Sequence, residues 1–174
     1  EIDAGKVEEL KTKILAPLDR YEQFKGASTD PEVNPNYLKP KMAMFRLQKI
    51  MDEYAGGVSS QFKTSDKLLE RGMELLTFLK EDTTSLAAEN LHELMRCWEN
   101  VHRVQIAEAH TRHKLHREET RWPGYYYRSD FRKMDEDQWG KVFVNSVYDA
   151  EKDEFTMLTR PIIHLVDIKE VVGM

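Results

Sequence analysis

The chain has 174 residues, 40% of them hydrophobic and 33% charged, with a formal net charge of -5 at pH 7. That length accommodates one domain with a real core, and the composition is neither that of a disordered chain nor that of a membrane-spanning one. The acidic balance argues against a general nucleic-acid binder, and the single cysteine, Cys97, excludes an internal disulfide and suits a reducing, cytoplasmic compartment.

The opening Glu1-Ile2-Asp3-Ala4-Gly5 has neither initiator nor targeting character and reads as a start within a longer protein. Val7, Leu10, Ile14, Leu15 and Leu18 then recur at three-and-four spacing, which predicts an amphipathic helix over 6–24, kinked or divided at Pro17. Residues 27–40 carry Pro31, Pro35 and Pro40 with Asn34 and Asn36, the chemistry of a turn-rich connector. Pro40 opens a second helix through Met42, Met44, Phe45, Leu47, Ile50 and Met51 that ends near Tyr54, before Gly56-Gly57. Residues 58–63 read as a loop with Phe62 as its buried candidate, and Thr64 or Ser65 caps a third helix through Leu68, Leu69, Met73, Leu75, Leu76, Phe78 and Leu79. Gly72 within it predicts close helix packing.

After the polar break at residues 82–85, the longest helical pattern runs over 86–117, on the order of 45 Å at about 1.5 Å per residue. Leu91, Met95, Trp98, Val101, Gln105, Ile106 and Ala109 share one arc, predicted to face the core, with Glu89, Arg96, Asn100, Arg103 and Thr111 opposite. Cys97 reads as inert packing. The pattern stops at Arg121-Trp122-Pro123-Gly124-Tyr125-Tyr126-Tyr127-Arg128, because no helix interior accommodates Pro-Gly beside this aromatic run. Consecutive tyrosines in an extended segment point to alternate faces, so at least one meets a second surface, the chain's own helices or a partner. An acidic turn or short helical turn over 134–139 follows, then two strands over 142–148 and 155–160 joined by a polar turn, a β-hairpin. Pro161 ends or bends the second strand, and residues 162–166 are expected as a buried, extended tail. The predicted fold is therefore mainly α: an antiparallel bundle of three to four helices over 1–117, then an aromatic loop, hairpin and tail over 118–174 packed on it as one structural domain.

His102, His110, His113 and His116 cluster on the long helix and invite a metal reading, but no Cys or carboxylate pattern completes a ligand set, so boundary hydrogen bonding is expected instead. Glu118, Glu119, Asp130, Asp135, Glu136 and Asp137 read as a solvated acidic face, none visibly paired with a nucleophile. No dinucleotide fingerprint, phosphate loop or nucleophile elbow is present. No residue is nominated as catalytic, cofactor-binding or metal-binding. The aromatic and Arg-rich run, with Asp130, is nominated as an interface.

Longer runs carry a family likeness. Thr29-Asp30-Pro31, Val33-Asn34-Pro35-Asn36-Tyr37-Leu38, the segment from Arg46 to Tyr54, Leu91-His92-Glu93-Leu94-Met95-Arg96, the segment from Glu118 to Arg128, Phe143-Val144-Asn145-Ser146 and Tyr148-Asp149 resemble, in order, the C-terminal region of the α subunit of the adenylylsulfate reductase family. That family lies within the fumarate reductase and succinate dehydrogenase flavoprotein superfamily. In the related dehydrogenases the loop looks like Ser-Arg-Gly-Ala-His, whereas here Trp122-Pro123-Gly124 follows Arg121, which favours the sulfur-metabolising branch. The resemblance implies a parent that interconverts adenylylsulfate with AMP and sulfite, with noncovalent FAD in the α subunit and two 4Fe-4S clusters in a β subunit. It implies that residues 121–128 and Asp130 dock the FAD-binding domain and the iron-sulfur β subunit, and that this segment alone is inactive, without nucleic acid or membrane. The competing reading is a free-standing helical interaction module.

Overall fold

The computed structural model describes residues 3–30, 33–121 and 126–163. Four helices dominate it: α1 (Ala4–Phe24), α2 (Pro40–Tyr54), α3 (Asp66–Thr83) and α4 (Leu91–His116). A parallel bridge of β1 (Lys63–Thr64) with β2 (Tyr127–Arg128) and an antiparallel hairpin of β3 (Val142–Asp149) with β4 (Glu154–Pro161) complete it. The mainly helical bundle with a small C-terminal hairpin is the architecture expected from the residue pattern.

α2 sits between two apolar clusters that it helps to fill. Ala43 joins Leu86, Ala88, Leu94 and Cys97 in one, and Leu47 joins Leu76, Leu79, Val104 and Ala107 in the other. Each fully buried leucine stabilises the fold by roughly 1.5–3 kcal/mol. Gly72 on α3 lets α2 approach: a Cβ there would lie 3.0 Å from the Tyr54 Cβ. Pro17 does not divide α1, which runs unbroken with the proline ring buried. The Pro17 carbonyl accepts from the Ala88 N–H at 2.9 Å, and the Ile14 carbonyl from the Trp98 indole at 3.0 Å. The side chains of Leu10, Ile14 and Leu15 nevertheless remain exposed.

Two expectations for the long helix fail. It starts at Leu91, because the Asn90 side chain caps it by accepting from the Glu93 N–H at 3.0 Å. Its 26 residues span about 39 Å, and residues 86–88 are instead buried in the core ahead of the helix, the Leu38 and Leu86 backbones bridging. The core-facing arc is also turned well away from the predicted one, of which Trp98 and Val101 pack against the core. Leu94, Cys97, Asn100, Val104, Ala107, Glu108 and Thr111 are buried, while Leu91, Met95 and Ile106 are exposed. Small side chains at 97, 107 and 111 allow α2 and α3 close approach. Most of their polar atoms are bonded: Asn100 Nδ2 donates to the Pro40 carbonyl at 2.8 Å and Thr111 Oγ1 to the Ala107 carbonyl at 2.8 Å, while Asn100 Oδ1 is buried without a partner among the described residues.

The hairpin runs from Val142 paired with Pro161 to Asp149 paired with Glu154, so Pro161 closes the second strand as anticipated. It rests on α4 through His113 Nε2, 3.1 Å from Ser146 Oγ, and His116 Nε2, 3.2 Å from Thr159 Oγ1. The expected buried tail is not found at Ile163, which is exposed. Residues 164–166 lie outside the described residues.

Candidate interface at the end of the long helix

α4 ends where Arg117 turns extended (φ -94°, ψ 97°). In an extended segment every second side chain shares a face, which brings Arg117, Glu119 and Arg121 together. Glu119 is wholly buried and is the centre of the group. It accepts from Arg117 Nε at 2.5 Å, from Arg121 Nε at 2.7 Å and Nη2 at 3.0 Å, and from the Asp135 N–H at 2.9 Å. Burial by itself would raise its pKa; the Arg121 hydrogen bonds, the Asp135 N–H and Arg117 outweigh that and hold it below the ordinary carboxylate value. Reading Glu119 as part of a solvated acidic face is therefore corrected. The signal present in the sequence was the arginine two residues to either side of it.

Thr120, also buried, pins the two ends of the aromatic loop. Its hydroxyl accepts from the Arg128 N–H at 2.9 Å and donates to the Phe131 carbonyl at 2.6 Å. Arg128 is fully buried and makes a two-pronged pair with Asp130, Nε to Oδ1 and Nη2 to Oδ2, both at 2.9 Å. Its remaining donors reach Asp66 and the carbonyls of Lys114 and Arg117. Asp130 then accepts from the Asp66 N–H at 2.8 Å. The first turn of α3 is thus capped by a carboxylate 64 residues away, where Thr64 or Ser65 was expected to cap it; Ser65 occupies the position and its side chain makes no capping bond, and the Thr64 hydroxyl donates to the Tyr54 carbonyl instead. Tyr127 pairs with Lys63 and Arg128 with Thr64 in the parallel bridge, which the sequence had not indicated. The bridge uses the carbonyl of Phe62, held in the left-handed region at φ 60°, to accept from Tyr127 N–H at 3.1 Å. Phe62 itself is half-buried.

Of the nominated interface residues, Arg121, Tyr126, Tyr127, Arg128 and Asp130 are described and converge on the base of one loop. Trp122, Pro123, Gly124 and Tyr125 lie outside the described residues. The Tyr126 hydroxyl donates to the Lys114 carbonyl at 3.1 Å, and burial raises its pKa, so it remains a neutral phenol. The long-helix histidines do not converge: His113 and His116 address different hairpin strands. Burial, then the charge of His116, lowers the pKa of His113. Cys97 is buried in the core, which pushes its thiol up to about 12 and makes it the inert packing residue expected.

The model of the fumarate reductase flavoprotein C-terminal region matches residues 44–171, well over half of the sequence. The chain belongs to this family. Within it, the chain is 50% identical over 159 residues to the adenylylsulfate reductase α subunit of Megalodesulfovibrio gigas, an alignment covering 91% of this chain and 24% of that one. The adenylylsulfate reductase structure from Archaeoglobus fulgidus is similar at a TM-score of 0.91 and 55% identity, over 96% of this chain and 26% of its counterpart. The Mycobacterium smegmatis Sdh1 complex shares the fold alone, with a TM-score of 0.68 at 16% identity over 99% of this chain and 28% of that one. This family member thus spans about a quarter of the length of its reductase relatives, which are flavoprotein oxidoreductases. No helix among the described residues is long and apolar enough to cross a membrane.

Proposed function

We propose that this chain is the C-terminal helical module of an adenylylsulfate reductase α subunit in the cytoplasm. It buttresses the FAD domain and contacts the iron-sulfur subunit while the parent interconverts adenylylsulfate with AMP and sulfite. The observation that carries the reading is the 50% identity across 91% of the chain. The apolar side chains left exposed support it: Leu10, Ile14 and Leu15 on α1, and Leu91, Met95 and Ile106 on α4, are surface that a neighbour would cover. The described residues fit FAD as a neighbour rather than as a guest, since none of the described strands leads through a glycine-rich turn into a helix N-terminus that would cradle a pyrophosphate. Bound to the adjoining domain, the flavin supplies the two-electron chemistry.

Residues 121–128 are the docking element in this reading, with Glu119, Thr120 and Arg128 fixing the loop base from within. Co-expression with the flavin domain and the iron-sulfur subunit tests it. Trp122→Ala is expected to weaken assembly more than His113→Ala does, because His113 makes its bond inside the chain. Equal losses, or none at Trp122, would sink the assignment, as would stoichiometric FAD retained by the chain alone.

A further inference from the structure

The hairpin is fastened very differently at its two ends. At the root Trp139 is buried, its carbonyl accepts from Arg117 Nη2 at 2.8 Å, and its ring meets the His116 imidazole edge-on, centroids 5.7 Å apart. The Asp135 N–H just before it ends on the buried Glu119, and the Ile162 N–H closes the other strand onto the Lys141 carbonyl at 2.9 Å. Beyond the root, neither β3 nor β4 holds a buried residue. Phe143 and Val147, which alternation turns away from the α4 side that Ser146 faces, are more than half exposed. A two-stranded hairpin is marginal by itself, so its contacts with the helices decide whether it stays down. Two of these are imidazole-to-hydroxyl bonds, His113 with Ser146 and His116 with Thr159.

The tip depends on Lys80 of α3. Its ammonium donates to Asp153 Oδ1 at 2.5 Å and to Glu108 Oε2 at 3.2 Å, and the Tyr148 hydroxyl donates to the same Asp153 oxygen at 2.6 Å. The two carboxylates that share Lys80 are unlike. Glu108 is buried on α4 and also accepts from Arg112 Nε at 2.9 Å and Nη2 at 2.7 Å. Asp153 lies in the hairpin turn with 55% of its side chain exposed. When the tip lifts, Lys80 keeps Glu108 and Asp153 returns to water, so release strands no buried charge. An ion pair this exposed changes an equilibrium by no more than about fivefold.

We propose that the hairpin is a hinged strap, fixed at its Trp139 root and latched at its tip by Asp153 on Lys80, which lifts from α4 as a unit. Lifting uncovers the α4 face from Glu108 to His113 and leaves the Glu119 and Arg128 networks of the loop base in place. A hairpin that is instead a rigid part of the bundle has one position only. Electron–electron double resonance on the 174-residue chain separates the two, with nitroxides at Glu151→Cys in the turn and His92→Cys on α4. Both positions are exposed, and the buried Cys97 takes no label. A strand of eight residues is about 26 Å long, so a pivot at the root should add a second distance longer by on the order of 10 Å. Asp153→Asn keeps the turn, because asparagine tolerates the φ of 55° found there, and should raise the long population about threefold. Tyr148→Phe should raise it in the same direction, and sodium chloride at about 1 M should do so in the otherwise unaltered labelled chain. Salt should add little to Asp153→Asn, whose latch is already gone. Lys152→Gln, which alters only a pairing with Asp149 inside the turn, should leave the populations unchanged. Far-UV circular dichroism identical across the set shows that the helices are intact. A single distance under all conditions, a long population indifferent to Asp153→Asn, or a salt response of equal size with and without Asp153 would overturn the proposal. Those results would leave subunit docking untouched, because docking is read by assembly.

Discussion

Replacing Arg128 by Met removes a side chain that ties α3, α4 and the aromatic loop together. The guanidinium is fully buried and donates to Asp66, twice to Asp130, and to the carbonyls of Lys114 and Arg117. Breaking a buried pair by deleting one partner costs about 3–5 kcal/mol. The low end applies to the carboxylates, since the side chains of Asp66 and Asp130 keep 44% and 26% of their exposure and can rehydrate. The two carbonyls at the end of α4 lose a charged donor, adding about 1 kcal/mol together. The expected loss is about 4 kcal/mol, or roughly 8–16 °C in Tm for a chain of this size. Arg128→Lys keeps the charge but cannot reproduce the two-pronged pair with Asp130 and reach the carbonyls together, so about half the loss is expected. Urea unfolding followed by far-UV circular dichroism measures both. If Arg128→Met lies within about 1 kcal/mol of wild type, burial of the guanidinium costs as much as its bonds return, and the loop base is not held by this network.

Asp130 provides a pH test of the same network. Burial opposes its ionisation, but the Arg128 pair and the Asp66 N–H prevail and lower its pKa to about 2. A depressed carboxylate contributes stability that is present above its unfolded value, about 3.9, and is lost as pH falls through the folded one. The wild-type chain should therefore lose stability between about pH 4 and pH 2, and Asp130→Asn should flatten that slope in acid unfolding curves; an unchanged slope refutes the assignment. Gly72→Ala places a Cβ 3.0 Å from the Tyr54 Cβ, an atom that cannot move without the α2 backbone. Overpacking of about 1–3 kcal/mol should exceed the helix-propensity gain of up to about 1 kcal/mol, leaving a net loss of roughly 1 kcal/mol by thermal melting; a stabilised variant would show that the helices have room to part. Cys97 should react with a disulfide reagent only upon unfolding, at a rate set by urea concentration, and rapid labelling of the native chain would contradict its burial.

The loop at residues 121–128 shows how function and structure divide the same segment. Its aromatic and cationic composition drew attention to it as an interface, and the long runs around it carried the family likeness. What the periodicities could not convey is which partners enclose each end of the segment. Arg121 binds the buried Glu119 two residues back, whereas Arg128 is completely enclosed and reaches Asp66 on α3. Both are arginines beside aromatic residues, and nothing local separates them.

Local chemistry in the sequence determined the helices, their glycine punctuation and the hairpin, because each depends on neighbours within a few positions. Tertiary structure alone decided which side of α4 became the core. Bulky apolar residues mark Leu91, Met95 and Ile106 as an inward face, yet the small side chains of the opposite face let α2 and α3 approach, and bonded Asn100, Glu108 and Thr111 are carried inward with them. It also decided that Asp130 caps α3 and that Thr64 pairs with Arg128, contacts whose partners stand 64 residues apart. A residue pattern reports the apolar surface a helix can bury. Which part is buried within the chain, and which is left for a neighbour, is fixed only when the other elements compete for it.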